Sequence, residues 1–195
     1  LSYIREANGA LEIGAMTRQR DIEFSPVVRD VSPIVIEALR HVGHRQTRNR
    51  GTVGGSLCHL DPSAELANMA LLHDARLTIQ GGRGERTVAM ADFAKGFMST
   101  DLADGELLTS LTLSLWPAGH GYAFEEFARR HGDFAIAAVG VLLDVQAGTI
   151  RHAAIALSGV GPVPVRLGKA EAQLAGQRPG HEAFRAAAVE AATVK

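Results

Sequence analysis

The run of residues best equipped for chemistry is Arg48-Asn49-Arg50-Gly51-Thr52-Val53-Gly54-Gly55-Ser56, followed by acidic residues at Asp61 and Glu65. Two adjacent glycines after a β-branched residue let consecutive backbone N–H groups turn toward one point, the geometry of an anion nest. Thr52 and Ser56 add hydroxyls, and a helix opening at Asp61-Pro62 would add the partial positive charge of its N-terminus. A dinucleotide pyrophosphate, or the polyol beside it, needs this mixture of donors and missing side chains. A plain glycine turn between two elements fits the same residues, because a Gly-Gly pair is a weak signal. The segment is not a Walker A loop, since no Gly-Lys-Ser/Thr closes it, and no G-x-G-x-x-G follows a strand.

Other candidates are thinner. Cys58, His59 and His73 lack the spacing of a metal-ligand set. Adjacent residues on an extended segment point to opposite sides, which argues against a Cys58–His59 nucleophile pair. Cys58 is the only cysteine, so the chain holds no internal disulfide and no cysteine-ligated cluster of its own. His44, Arg45, Arg48 and Arg50 form a basic cluster that serves either as solvated charge or as a contact for a phosphate or a partner. Ser158-Gly159-Val160-Gly161-Pro162 reads as a turn at a subunit interface.

Around these residues the pattern predicts short elements. Residues 3–5 and 11–15 flank Asn8-Gly9 as a hairpin. Ser32-Pro33 opens a helix over residues 34–42 that stops at Gly43. A second helix runs from Asp61, as N-cap, to about His73, with Leu66, Met69, Ala70 and Leu71 facing a core. Residues 76–80 and 85–90 make a hairpin about Gly81-Gly82-Arg83-Gly84, and a short helix covers 92–95. Leu107, Thr109, Leu111, Leu113 and Leu115 alternate along a strand over 106–116. Pro117 to Gly121 marks a domain boundary. Beyond it come strand-like runs at 122–129, 134–146 and 149–158, an extended segment at 160–166, and helices at 167–174 and 181–194. Hairpins mixed with helices indicate an α+β fold rather than a βαβ array.

Composition adds exclusions. The 195 residues are 46% hydrophobic and 21% charged, with 20 basic against 21 acidic side chains. That balance offers nothing to nucleic acid or to an anionic membrane. No apolar run approaches the roughly 18 residues of a membrane span. With one cysteine and no signal peptide, a cytoplasmic protein is expected.

Taken together, Arg48 to Glu65 (RNRGTVGGSLCHLDPSAE) resembles the second FAD-binding segment of the flavoprotein, or medium, subunit of molybdenum hydroxylases, the carbon monoxide dehydrogenase and xanthine dehydrogenase family. The resemblance continues through Asp92-Phe93, through residues 106–113 and through FEEFARRHGDF at 124–134. It implies a vanillyl-alcohol-oxidase-type FAD domain over residues 1–117, represented by its second subdomain. A small α+β C-terminal domain with an antiparallel sheet is implied over 121–195. Carried over by position, Thr52, Val53, Gly54, Gly55 and Ser56 line the FAD, and Glu65 accepts from the ribityl hydroxyls. Leu102 falls near the flavin ring and Phe134 near the cofactor. Glu125 and Glu126 stand where some relatives place a lysine beside the flavin, so the cofactor's potential or acceptor is expected to differ.

The resemblance further implies an electron-transfer role without a catalytic side chain or a metal on this chain. Molybdopterin is expected on a large subunit and two [2Fe–2S] clusters on a small one, in a heterotrimer that can pair into a dimer. The family's first FAD segment, an Ala-Gly-Gly-x-Ser loop, has no counterpart here. The chain is therefore expected to begin after the first flavin subdomain, to be truncated at its end, and to bind FAD poorly alone. A non-catalytic remnant, or a stand-alone flavoenzyme of the same fold, are the alternatives. The second would need a substrate cap and a catalytic acid or base, and the sequence offers neither.

Overall fold

A computed structural model describes residues 1–194. In chain order, β1 (Ile4–Ala7) and β2 (Ala10–Gly14) form a hairpin, and four short helices follow: α1 (Gln19–Glu23), α2 (Pro26–Val31), α3 (Pro33–His41) and α4 (Arg45–Arg50). Next come α5 (Val53–His59), α6 (Glu65–Leu72), β3 (Arg76–Gly81), β4 (Gly84–Ala89) and α7 (Met90–Phe93). β5 (Ala94–Gly96) and β6 (Ser99–Thr100) make a small ribbon before β7 (Leu107–Ser114). The last third holds β8 (Gly121–Phe127), β9 (Ala137–Gln146), β10 (Thr149–Ser158), β11 (Val165–Arg166), α8 (Gly168–Leu174) and α9 (His181–Ala191).

Two antiparallel sheets organise these elements. One has the order β1-β2-β7-β3-β4 and the other β11-β10-β9-β8. The α+β expectation holds. The alternation expected along β7 holds only in its second half. Thr109 bulges out between the pairs Thr78–Ser110 and Ile79–Leu108. An extra residue flips every later side chain to the other face, so Leu107 is exposed while Leu108, Leu111 and Leu113 are buried.

α6 is the hub. Leu66 through Leu72 are all buried, Asn68 included, and a helix that is apolar all round belongs inside a core. One side packs on α3 and α5, the other on β9 and β10. The main core therefore runs through α6 into Phe124, Ala138, Leu142, Ala154 and Ala156 of the second sheet. The opposite face of that sheet packs Ile150, Ala153 and Ile155 against Leu167, Ala170, Leu174 and Ala187 of the α8–α9 layer. Burial on both faces explains why the second half of β10, Ala153 to Leu157, is an unbroken apolar run.

Polar ties reinforce the shared core. Asn68 Nδ2 donates to Ala156 O and to Ser158 Oγ, both at 3.1 Å. Arg166 donates to Leu71 O at 3.1 Å, pairs with Asp74 at 2.6 Å, and holds Glu171 at 2.8 Å. Ser63 Oγ donates to Ala135 O, and Gly159 N to Pro62 O, each at 2.8 Å. The glycine run near 159 thus docks on the α5–α6 connection, where an added Cβ would stand 2.8 Å from Ile136 O. No helix among the described residues is long and apolar enough to cross a membrane.

Candidate functional site

Thr52 to Ser56 is the first turn of a helix, not a free glycine turn. Thr52 is the N-cap of α5, with its hydroxyl accepting from Gly55 N at 3.0 Å, the ordinary role of a threonine there. The other amides of the turn are also engaged. Val53 N donates to Thr17 O at 3.0 Å, Gly54 N to Ala15 O at 2.8 Å, and Ser56 N to Thr52 O at 3.1 Å. The anion-nest expectation is therefore corrected, because the donors it required already have acceptors within the chain. Gly54 has a packing role. A Cβ there would lie 2.6 Å from Ala15 Cβ and 2.7 Å from Ala15 O, so only glycine lets α5 press against the end of β2.

The basic run before it is likewise a helix, α4, in which Arg48 is tied down while Arg45 and Arg50 are exposed. Arg48 pairs with Glu23 at 2.8 Å and donates to Val42 O at 2.9 Å, while Arg18 donates to Arg50 O. Cys58 and His59 lie on the last turn of α5 rather than on an extended segment. Burial raises the Cys58 thiol, which disfavours the thiolate a nucleophile needs. No metal-binding group of three or more His, Cys, Asp or Glu occurs among the described residues.

α5 ends at Leu60, in the left-handed region at φ 49°. That conformation costs a leucine about 1–2 kcal/mol, offset by complete burial of its side chain. The chain then turns through Asp61, whose carboxylate accepts from Ser63 N at 2.8 Å. Asp61 therefore builds a turn instead of capping a helix, and α6 starts at Glu65 with Ala64 as N-cap. The expected helix start at Asp61 is three residues early, and its consequence is positional: Glu65 sits in the first turn.

Glu65 makes no side-chain hydrogen bond to another residue among those described. Burial pushes its carboxyl up to about 7; its own backbone N–H opposes the shift, while Glu126 and Asp61 add to it. Glu126 comes from β8. Its side chain is 3% exposed, and His41 Nδ1 of α3 stands 3.9 Å from its Oε2. Burial raises the Glu126 carboxyl, with His41 and His131 opposing. Sequence reasoning named Glu126 only as a departure from a lysine and did not connect it with His41.

Of the other expected residues, Leu102 is partly buried against the main core, just beyond β6, which touches α5. Phe134 lies in the β8–β9 loop, 74% exposed, beside Ala135, whose carbonyl Ser63 holds. The structure thus gathers α5, Glu65 and the Phe134 loop around the α5–α6 connection. His73, at the far end of α6, is a core histidine. Its Nε2 is 3.0 Å from Ser32 Oγ and its Nδ1 3.1 Å from Ser114 O. The carbonyl must accept, so Nδ1 carries the proton and the Ser32 hydroxyl donates. That bond explains why Ser32 makes no side-chain cap on α3.

The site's chemistry divides in two. The α5 turn has few free donors for phosphate. Glu65 is an acceptor without a donor, the Ser56 hydroxyl has no partner among the described residues, and Gly55 is exposed. Half-buried polar groups with no partner of their own, beside an exposed aromatic, fit a polyol chain carrying a flat ring. On that observation the residues present fit the ribityl and ring portions of FAD better than its pyrophosphate.

Comparison with known proteins points the same way. Residues 1–116 match the family profile described as the FAD binding domain in molybdopterin dehydrogenase. Residues 122–194 match the CO dehydrogenase flavoprotein C-terminal domain. The chain is 39% identical over 173 residues to the 6-hydroxypseudooxynicotine dehydrogenase complex subunit alpha of Paenarthrobacter nicotinovorans, covering 88% of this chain and 58% of that protein. It is 33% identical over 188 residues to the carbon monoxide dehydrogenase medium chain of Hydrogenophaga pseudoflava, covering 96% and 66%. The solved carbon monoxide dehydrogenase of Hydrogenophaga pseudoflava superposes with a TM-score of 0.95 at 35% identity, over 100% of this chain and 68% of that one. Quinoline 2-oxidoreductase of Pseudomonas putida 86 superposes at 0.91 and 35%, over 98% and 66%. The chain spans between 58% and 66% of the length of these two curated relatives.

Proposed function

This chain belongs to the FAD-binding medium-subunit family of the molybdenum hydroxylases, and from that premise we propose that it serves as an electron-transfer subunit of such an oxidoreductase. Its FAD-binding domain occupies residues 1–117, and the flavoprotein C-terminal domain begins at 121. Its partners are a large subunit carrying molybdopterin and a small subunit carrying [2Fe–2S] clusters. FAD, when bound, accepts electrons singly and can deliver them in pairs to an external acceptor.

The chain's own residues bind and orient. Glu65 is the observation that carries this reading, since a carboxyl at the start of α6 with no donor from any other described residue is what ribityl hydroxyls require. Ser56 adds a second polar contact, and the exposed Gly55 lets the cofactor approach the backbone. Leu102 and Phe134 supply apolar surface for the ring. Thr52, Val53 and Gly54 shape the site by fixing α5 on β2. No side chain here needs to act as acid, base or nucleophile toward a substrate.

Removing the acceptor tests the reading. In the purified complex, Glu65→Ala is expected to weaken FAD at least about tenfold, the loss that follows from one charge-assisted hydrogen bond. Glu65→Gln, which keeps an acceptor oxygen, should recover part of that loss. FAD affinity unchanged in Glu65→Ala, measured by flavin fluorescence, would sink it.

A further inference from the structure

Two segments far apart in the chain meet at a cleft of about 530 Å³, lined by residues 43–48 and His131. One is the turn from α3 into α4, and the other is the β8–β9 loop. Gly132, at φ 88°, closes that loop onto the turn. A Cβ there would lie 3.2 Å from His44 Cε1 and 3.3 Å from Gly43 O, so glycine permits the approach. The His131 ring centroid stands 6.4 Å from that of His41 on α3. The meeting puts Arg45 and His131 on one cleft, with Arg129 and Arg130 immediately before His131. His44, Arg45, Arg129, Arg130 and His131 are all exposed. Arg48, Arg86 and Arg166 pair with carboxylates, but among the described residues Arg45, Arg129 and Arg130 form no ion pair. Asp133 is the one acidic side chain in residues 127–136. The whole chain balances 20 basic against 21 acidic residues, so this excess of positive charge is local.

The lining decides what the cleft can hold. A site for a small anion is concave and grips it with a few converging, desolvated groups. Here the least exposed cation, Arg48, is already engaged by Glu23 and Val42 O, and the remaining cations stand in solvent. Water and salt weaken each of them toward a small ion, whereas together they steer a broad surface of opposite charge. Phe127, at the end of β8 and two residues before Arg129, is 67% exposed. Arginine beside an exposed aromatic is the composition of protein interfaces. We propose that this face, formed by His44, Arg45, Phe127, Arg129, Arg130 and His131, docks an acidic surface of a protein partner. Carboxylates of the partner pair with arginines from both segments, and an apolar side chain covers Phe127. None of the six residues is assigned a contact with FAD, so the surface stands apart from the reading of Glu65.

A fluorescently labelled peptide of alternating glutamate and leucine, titrated with the full chain and followed by anisotropy, tests the surface. Binding is expected at low salt and should weaken as the Debye length shrinks from about 30 Å at 0.01 M to about 8 Å at 0.15 M. Reversing the charge of one segment, Arg129→Glu with Arg130→Glu, should weaken it about tenfold, and Arg45→Glu on the other segment should weaken it severalfold. Arg178→Glu with Arg185→Glu, at exposed positions of the α8–α9 layer, should leave binding within twofold of wild type. Should charge reversal disturb folding, Arg129→Gln with Arg130→Gln asks the same question with neutral side chains. No binding at low salt overturns the proposal, as does an equal loss in the Arg178 and Arg185 control. An unchanged Arg45→Glu also overturns it, since the two segments would then not act as one face. Displacement of the peptide by equimolar inorganic pyrophosphate would make the cleft a small-anion site instead. Tighter binding of a single-stranded DNA oligonucleotide of equal charge would overturn the choice of a protein partner.

Discussion

The first turn of α5 and the start of α6 are neighbours in the fold, yet they handle their polar groups in opposite ways. At α5 every amide of Val53 to Ser56 has an acceptor inside the chain. Across the connection, among the described residues, Glu65 has no donor from another residue and Glu126 leaves an oxygen unpartnered. Burial makes such groups costly, so a fold that keeps them does so against its own stability, which is the mark of a site that serves something else. Of the two glycines that draw the eye, Gly54 is there for packing. The capacity to bind lies in the less conspicuous carboxyls.

Gly54→Ala is the most severe way to break this contrast. The new methyl would meet backbone at 2.7 Å, so a loss of about 3 kcal/mol is expected from overpacking, measured by urea unfolding. At Gly55 the nearest contact is only the Thr52 hydroxyl, at 2.9 Å, and the loss should be clearly smaller. If Gly54→Ala unfolds like the wild type but loses FAD, the glycine serves the ligand after all.

Asn68 carries the same contrast within one side chain. Its amide nitrogen makes two bonds while its Oδ1 makes none. Asn68→Ala should cost about 2 kcal/mol by stranding Ala156 O and Ser158 Oγ. A normal urea midpoint in that variant would mean that α6 stays joined to the second sheet through apolar contacts alone.

The gentlest test uses pH. His73 is held down to about 4 by burial, below its ordinary 6.5. Between those values the unfolded chain binds the proton and the folded one does not, so stability falls as pH drops from 6.5 toward 4. Glu65 is raised to about 7, so the folded state binds the extra proton. Its contribution is complete below about 4.5 and is lost as pH climbs through 7. The two slopes oppose each other between 4.5 and 6.5. Glu65→Gln should therefore melt with a steeper acid-side decline than the wild type in that window, by thermal denaturation at matched salt. Equal slopes would remove Glu65 from the ledger.

Much of this was legible in the sequence wherever local pattern decides structure. β10 spans residues 149–158 as expected, because an apolar stretch following the Ala147-Gly148 turn and ending at Gly159 reads as the second strand of a hairpin. α5 was not legible, since Val-Gly-Gly-Ser is a poor helix former; its helix rests on bonds to Ala15 and Thr17 across the fold. Asp61-Pro62 looked like a helix start because turn and cap share a residue preference, and only the chain's path after Leu60 separates them. The bulge at Thr109 left no signal that would reset the alternation of β7. The pairing of Glu126 with His41 joins residues far apart in sequence, beyond the reach of any local rule.

α6 has one more property worth drawing out. Eight residues make a rod about 12 Å long, with Glu65 at one end and, at the other, the carbonyls of Leu71 and Leu72 gripped by Arg166. Glu126 meets the Glu65 end from the second sheet, and Arg166 meets the opposite end from the same sheet. The sheet that holds Arg166 therefore grips the rod about 12 Å from Glu65, so the place of that carboxyl is fixed from the far end of α6 as well as from the α5–α6 connection.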